Sequence, residues 1–183
     1  DMFHGDSLHV TPKAFREWAR IITPHLIPGP GTVSKLSTPG STPQTEALYE
    51  NLNRMVGSST MFGHQDDTAY GVQWEKTPGG SDVRAVCGDY PAVYGWEIGG
   101  IEHVRHGNLD KVNFDRMKRL IREAYDRGGV NTISWHADNL VTGGNTWDLT
   151  GGNVVATLLP GGAHHAEFCR WLDRVAEFLA SLK

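Results

Sequence analysis

Apolar residues recur at helical spacing in three segments of the chain. The first segment begins at Thr42-Pro43, a good helix start, and carries Leu48, Leu52 and Met55 on one face. The other two segments lie near residues 114–127 and 165–182 and have apolar stripes at a period of 3.6 residues. Those stripes comprise Met117, Leu120, Ile121, Ala124 and Tyr125, and then Phe168, Trp171, Leu172, Val175, Ala176, Phe178, Leu179 and Leu182. We predict three helices that each bury one face.

Short runs rich in β-branched and aromatic residues separate these helical segments. They predict strands near residues 58–64, 91–98 and 130–136, the second ended by Gly99-Gly100. Strands that alternate with helices favour parallel βα units joined by right-handed crossovers. We therefore predict an α/β fold of the (β/α)8 TIM-barrel type, with this chain supplying about the first three βα units.

The first 40 residues have a different character. Thr11-Pro12 precedes a helical stripe of apolar residues, and the stretch "PHLIPGPGTVSKLSTPGSTP" follows it. Proline and glycine are so dense there that neither helix nor strand persists. We interpret residues 1–40 as a helix with a linker or wrapping segment, and residues 41–183 as part of the barrel domain.

Polar side chains come at the carboxyl end of each predicted strand. His64 and Gln65 end the first strand and Glu97 ends the second. The third strand ends in "WHADN", which contains His136, Asp138 and Asn139. In a (β/α)8 barrel the carboxyl ends of the strands form the active-site face. The sequence therefore predicts a binding site on that face, with Trp147 of the following loop as a stacking platform.

Each of these residues also has a plain structural explanation. His64 could bond to a neighbouring strand end, Glu97 could serve a backbone N–H group, and a lone loop tryptophan such as Trp147 is often packed in a core. His103 and His106, three apart in "EHVRH", could ligate a metal or lie on a solvated loop. These alternatives stay open from the residues alone.

Composition narrows the classes of function. The formal net charge of the 183 residues is -4, and without a basic block a nucleic-acid partner is not expected. No apolar run reaches the roughly 18 residues of a membrane span, and no signal peptide is recognisable. The two cysteines, Cys87 and Cys169, form no disulfide framework. We expect them to be unbonded, since they belong to opposite faces of the barrel, and we expect no cofactor.

Four segments, in order along the chain, resemble glycoside hydrolase family 26, the β-mannanases. They are "MFGHQDDTAYGVQW", "DYPAVYGWEIGG", "GGVNTISWHADN" and "LLPGGAHHAEFCRWLDRVAEFL", and the resemblance covers roughly residues 42–183. It implies a retaining (β/α)8 glycosidase that acts on β-1,4-mannosidic bonds of mannan or manno-oligosaccharides. It also implies a secreted, periplasmic or cell-surface bacterial protein.

The resemblance further implies roles for individual residues. His136 would contact the sugar near the cleavage point and Trp147 would line the same cleft, with His64 and Asn139 as floor or wall. Asp138 would hold the tautomer of the His136 ring. No residue here matches the family's acid/base or nucleophile glutamate, so we expect no catalytic residue among the 183 and no mannan hydrolysis by this chain alone. The rest of the barrel would then be a separate segment or chain.

Two other functions fit the same residues. A metal-dependent hydrolase barrel could use His64, His136 and Asp138 as ligands, since imidazole with carboxylate suits zinc. A non-catalytic carbohydrate-binding fragment could hold a sugar between His136 and Trp147. Metal analysis separates the first alternative from a glycosidase, and glycan binding without hydrolysis favours the second.

Overall fold

The computed structural model of the protein describes Arg16, Glu17, Arg20 and residues 39–182. The chain divides into two compact units, Asp1–Thr60 and Met61–Lys183. Most of the predicted amino-terminal helix and its linker lie outside the described residues, so that interpretation stays a prediction. No helix in the described part is long and apolar enough to cross a membrane.

The first unit contains helix α1 (Pro43–Met55). Its start is the predicted one, because the Thr42 side chain accepts a hydrogen bond from the Thr45 N–H and proline follows at the first helical position. The predicted face is not buried, since Leu48 and Leu52 are 45% and 37% exposed. Ser58 and Ser59 donate to the Met55 carbonyl and complete the helix end.

The second unit is built on a sheet of three parallel strands. Its strands are β1 (Gly63–Gln65), β4 (Val93–Glu97) and β5 (Val130–Ser134), in the order β1-β4-β5. The register pairs Gln65 with Gly95 and Glu97 with Ser134, so the three strands end at one edge. The parallel arrangement is confirmed, but the first strand starts later than predicted, at Gly63, and so His64 lies within it.

Helices and a hairpin complete the second unit. A two-stranded antiparallel hairpin, β2 (Tyr70–Gly71) with β3 (Trp74–Glu75), lies in the stretch after β1. The remaining elements are α2 (Asp82–Cys87), a 3₁₀ helix (Ile101–His103), α3 (Phe114–Asp126), α4 (Val154–Leu158) and α5 (His165–Ala180). Ser81 caps α2 by accepting from the Arg84 N–H.

The core lies between the sheet and α3. Met117, Leu120, Ile121 and Ala124 are buried there against Tyr94, Trp96 and Ile98 of the β4 segment. Tyr125 was predicted to share this face, but it is 68% exposed. On α5 only Trp171 and Phe178 are buried, and Leu172 and Leu179 of the predicted stripe are more than 40% exposed. Cys87 and Cys169 are both free thiols, as predicted.

Candidate functional site

The carboxyl edge of the sheet is organised around Glu97, the last residue of β4. Its side chain is buried, and its two oxygens accept four hydrogen bonds. Oε1 accepts from the backbone N–H groups of Gly99 at 2.6 Å and His136 at 2.7 Å. Oε2 accepts from the Ser134 hydroxyl at 2.6 Å and lies 2.6 Å from the His136 Nδ1 atom.

This set of donors decides the charge of Glu97. Burial raises the pKa of a carboxyl group, but the hydrogen bonds from Ser134, His136 and Gly99 together hold the pKa of Glu97 below its ordinary value. The side chain of Glu97 is therefore a carboxylate at neutral pH, and both of its oxygens already accept hydrogen bonds. It orients His136 and is not a free nucleophile or acid.

His136 presents its outer ring edge to solvent. Its side chain is 48% exposed, and its Nδ1 atom faces Glu97. A proton on Nδ1, donated to the carboxylate, leaves Nε2 of the neutral ring as an acceptor that points away from Glu97. The ring stacks on the Trp147 indole with 5.5 Å between centroids and 16° between planes. Since Trp147 is 58% exposed, it is a surface platform and not a core residue.

Asp138 does not support His136, contrary to the prediction. Its Oδ2 atom lies 2.7 Å from Nε2 of His103, on the 3₁₀ helix. Its backbone N–H donates to Glu102 Oε1 at 2.9 Å. The carboxylate that holds the His136 tautomer comes instead from the neighbouring strand, in Glu97. Asp138 ties the loop after β5 to the 3₁₀ helix.

The side-chain amide of Asn139 forms its hydrogen bonds within its own loop. Its geometry therefore does not support the predicted sugar contact. The residue is 9% exposed. Its side-chain N–H groups donate to the carbonyls of Asp148 and Thr150, and its Oδ1 accepts from the N–H groups of Val141 and Thr142. The amide shapes the loop that carries Trp147 instead of facing a ligand.

His64 lies on a different strand from His136 and has partners of its own. Its Nδ1 atom is 2.8 Å from the Gln65 carbonyl and 3.8 Å from Asp67 Oδ1, and its side chain is 42% exposed. It remains an accessible residue of the edge strand β1. The wall or floor role predicted for it stays a prediction.

The metal set predicted from the sequence does not assemble in the described part of the chain. His136 is engaged by Glu97, and Asp138 by His103. The residues that do converge are Glu102, His103 and Asp138, without His106. Glu102 is buried and already accepts from Gly100, Trp135 and Asp138 N–H groups, so its carboxylate serves the backbone and the indole. The metal-dependent alternative is not favoured.

The sequence analysis did not predict that the polar residues 66–68, directly after β1, are buried. Asp66, Asp67 and Thr68 are at most 3% exposed, and neither carboxyl oxygen of Asp66 has a hydrogen-bond partner among the described residues. Burial, and then the negative charge of Asp110, raise the pKa of Asp66 to about 7. The sequence did contain a signal for these residues, because polar residues follow two strands in the same way. "DDT" comes directly after the first strand, and "HADN" comes one residue after the third.

Parallel βα units with polar and aromatic side chains at the carboxyl edge of the sheet are the arrangement of (β/α)8 barrels, whose active sites lie on that face. The profile of Glycosyl hydrolase family 26 matches residues 37–183. The chain belongs to this family.

Solved structures and a curated relative agree with the assignment. A GH26 β-mannanase from Bacteroides ovatus superposes with a TM-score of 0.76 and 48% identity, over 78% of this chain and 42% of that one. A Cellulomonas fimi endo-β-1,4-mannanase gives a TM-score of 0.64 and 40% identity, over 75% of this chain and 32% of that one. The mannan endo-1,4-β-mannosidase of Bifidobacterium adolescentis is 31% identical over 150 residues.

This chain spans only part of these relatives. The match to the Bifidobacterium protein includes 80% of this chain but only 15% of that protein. The family's solved structures imply a (β/α)8 barrel, of which the second unit shows a parallel three-stranded sheet with its helices.

Proposed function

We propose that residues 61–183 form the first βα units of a (β/α)8 domain that hydrolyses β-1,4-mannosidic bonds of mannan with retention, and that His136 and Trp147 bind the sugar. The supporting observation is the arrangement at the end of β5. An exposed indole and a half-exposed imidazole are stacked, and the imidazole is fixed from behind by a buried carboxylate. The chain also shares 48% identity with a β-mannanase.

The chemistry of the pair suits a pyranose. The indole of Trp147 offers a flat apolar face to the C–H groups of a sugar ring. His136 Nε2 accepts a hydrogen bond from a hydroxyl, and Glu97 prevents the ring from turning away. The fixed geometry lowers the entropy that the site loses when the sugar binds.

Retaining hydrolysis needs two carboxyl groups about 5–5.5 Å apart. Glu97 does not fit either role, because its oxygens accept four hydrogen bonds. We assign the acid/base and nucleophile to residues outside these 183. The 183-residue chain then binds the sugar and does not cleave it.

The remaining barrel units would also cover surfaces that this chain leaves open. Strands β1 and β5 are the two edges of the parallel sheet. Apolar side chains of α4 and α5 are also exposed, including Val155 at 67%, Leu172 at 43% and Leu179 at 42%. Open edges and apolar faces of this kind are stabilised by further strands and helices. Because mannan is a polymer outside the cell, we place the enzyme in a secreted, periplasmic or cell-surface location.

The proposal is tested by sugar binding to the chain itself. In ¹H–¹⁵N spectra of the 183-residue protein, mannotriose is expected to shift the Trp147 indole N–H and the His136 ring signals, while no reducing sugar is released from mannan. Cellotriose serves as the matched control, because it differs in the configuration at C2. Absence of any mannotriose shift at Trp147 and His136 would contradict sugar binding by this pair.

Hydrolysis is tested after the barrel is completed. The chain is fused to the remaining part of the Bacteroides ovatus β-mannanase, and reducing ends released from mannan are measured. We expect the fusion to be active and the chain alone to be inactive. Activity in the chain alone would overturn our assignment of the catalytic carboxyl groups.

A further inference from the structure

Three side chains that can ligate a metal converge beside the 3₁₀ helix. They are Glu102, His103 and Asp138, and one ligating atom of each lies within 4.8 Å of the other two. Two of them belong to the 3₁₀ helix, and Asp138 belongs to the loop after β5. The His103 Nε2 atom lies 2.7 Å from Asp138 Oδ2 and 4.0 Å from Glu102 Oε1. One imidazole with two carboxylates is a donor set that suits zinc and related divalent ions.

The spacing of these atoms is close to the spacing around a coordinated ion. In a tetrahedral zinc site with bonds of about 2.0–2.1 Å, neighbouring ligand atoms are roughly 3.3 Å apart. The separation of His103 from Asp138 is shorter than this value, and its separation from Glu102 is longer. A small movement of the His103 ring therefore equalises the two distances. The ion takes the place of the proton that lies between His103 and Asp138.

Glu102 keeps one lone pair for such an ion. A carboxylate has about four lone-pair sites. Its Oε2 atom accepts from the Gly100 N–H at 2.9 Å and the Trp135 indole N–H at 3.0 Å. Among the described residues, its Oε1 atom accepts only from the Asp138 N–H. Oε1, the oxygen that faces His103, thus has a site to spare, and the three N–H donors hold the carboxylate in place as they do for many metal ligands.

The three residues line a cavity of about 680 Å³ between the 3₁₀ helix, the loop after β5 and the start of α5. The side chains of His103 and Asp138 are 34% and 25% exposed, so an ion can reach them from solvent. His164 lines the same cavity, and its Nδ1 atom is buried without a hydrogen-bond partner among the described residues. A water molecule on the ion would give that nitrogen a partner.

The charges around the cavity favour a cation. Its lining contains three carboxylates and two guanidinium groups, those of Glu102, Asp138, Glu167, Arg170 and Arg174. Arg170 pairs with Glu167 on α5. The two carboxylates of the cluster therefore face one remaining guanidinium group, and a divalent cation between them offsets their repulsion.

We propose that Glu102, His103 and Asp138 bind one divalent transition-metal ion, for which zinc is the best fit, and that the ion fastens the loop of Trp147 to the 3₁₀ helix. Asp138 directly precedes Asn139, whose amide organises the residues up to Thr150. The role of this ion is structural, and the proposed hydrolysis does not pass through it. The inference is therefore independent of sugar binding at His136 and Trp147.

The test titrates zinc into the metal-free 183-residue protein by calorimetry. We expect one ion per chain, a higher urea midpoint with zinc, and slower hydrogen exchange across residues 138–150. Cobalt(II) then reports the ligands. We expect the visible absorption of a tetrahedral nitrogen and oxygen site. A sulfur-to-cobalt band in its place would put the ion at Cys169, 3.7 Å from His165 Nε2, and would overturn the assignment.

Variants assign the ion to this cluster. His103→Ala is expected to weaken zinc affinity about tenfold or more and to remove the slower exchange. His106→Ala is the matched control, because it changes a histidine of the same segment that lies outside the cluster. Asp138→Asn keeps the side-chain size and the backbone N–H bond to Glu102, so it replaces His103→Ala if that variant does not fold.

The outcomes separate this inference from the proposed function. Absence of zinc binding, or equal affinity in the parent, His103→Ala and Asp138→Asn proteins, would overturn the metal site. Zinc binding with unchanged exchange at residues 138–150 would overturn its structural role. A protein that binds zinc as expected but shows no mannotriose shift at Trp147 would confirm the metal site and contradict the proposed sugar site.

Discussion

Glu97 holds His136 at two points, the ring and the backbone. Oε2 lies 2.6 Å from the imidazole Nδ1 and Oε1 accepts from the backbone N–H at 2.7 Å. A residue attached at both points can neither turn its ring nor shift its backbone without breaking a charged hydrogen bond. The orientation of the imidazole that we propose as a sugar ligand is therefore set by a residue 39 positions earlier, on another strand.

Replacing Glu97 by Gln should loosen this arrangement. The amide nitrogen cannot accept the bonds that one carboxylate oxygen accepts, so two donors lose their partner and the free energy of unfolding falls by about 2–3 kcal/mol at pH 7. The pKa of Glu97 is lowered in the folded protein, so its stabilising effect is present above the unfolded pKa of about 4.3 and lost below it. Urea unfolding at pH 7 and pH 3.5 measures this, and an equal difference at both pH values would contradict it.

The stacked pair should contribute more to sugar binding than to the fold. His136→Ala is expected to lower kcat/KM of the completed enzyme at least tenfold, about 1.4 kcal/mol of transition-state binding, while the fold stays intact. Trp147→Ala should act in the same direction, because the sugar loses its platform. Tyr125→Ala, at another exposed aromatic residue, is the control. Unchanged activity in both site variants would leave "WHADN" as a structural strand ending.

Asp66 should make the protein less stable as pH rises. Its folded pKa is about 7, above the unfolded value of about 3.9, so the folded chain binds an extra proton between these values and stability falls across that window. Asp66→Asn removes the buried charge, and asparagine tolerates the left-handed backbone here, where φ is 51°. We expect the variant to be about 1–3 kcal/mol more stable than the parent at pH 8 and similar at pH 4.5.

The control for this pH dependence is Asp115→Asn, at an exposed carboxylate. Its effect on the urea midpoint should be small at every pH. If Asp66→Asn also gave a constant difference from pH 4.5 to pH 8, Asp66 would not be a buried acid with a raised pKa.

Asn139→Asp should disturb the loop that presents Trp147. The aspartate still accepts from Val141 and Thr142 but can no longer donate to the carbonyls of Asp148 and Thr150. We expect faster hydrogen exchange across residues 141–150, a loss of about 1–2 kcal/mol of local stability, and weaker mannotriose binding. Exchange as slow as in the parent protein would show that these two donations do not hold the loop.

Features set by neighbours in the sequence were predictable. The stripe at Met117, Leu120 and Ile121, and the cap at Thr42, depend on side chains within one or two turns. Periodicity identified α3 and α5, and the β-branched runs identified β4 and β5. The position of His136 near the carboxyl edge also followed from strand polarity, whereas the place of Trp147 beside it followed from the family resemblance.

Features set by distant partners were not predictable. Asp138 is two residues from His136 in sequence, yet its partner His103 is 35 positions away, and the sequence does not encode which carboxylate turns towards which ring. The hairpin strands β2 and β3 have two residues each, too few to show alternation. The prediction that the whole apolar stripe of α5 is buried was wrong for its exposed side. Periodicity shows that a stripe exists, but it does not show what packs on it.

Gly99 has a practical meaning for anyone who redesigns the site around His136. Since a Cβ atom at this position would meet Leu109, Glu97 and His136 within 3.0 Å, no side chain can be introduced there unless these neighbours move. A mutant library has to vary these four positions jointly, because effects at residues in contact do not add.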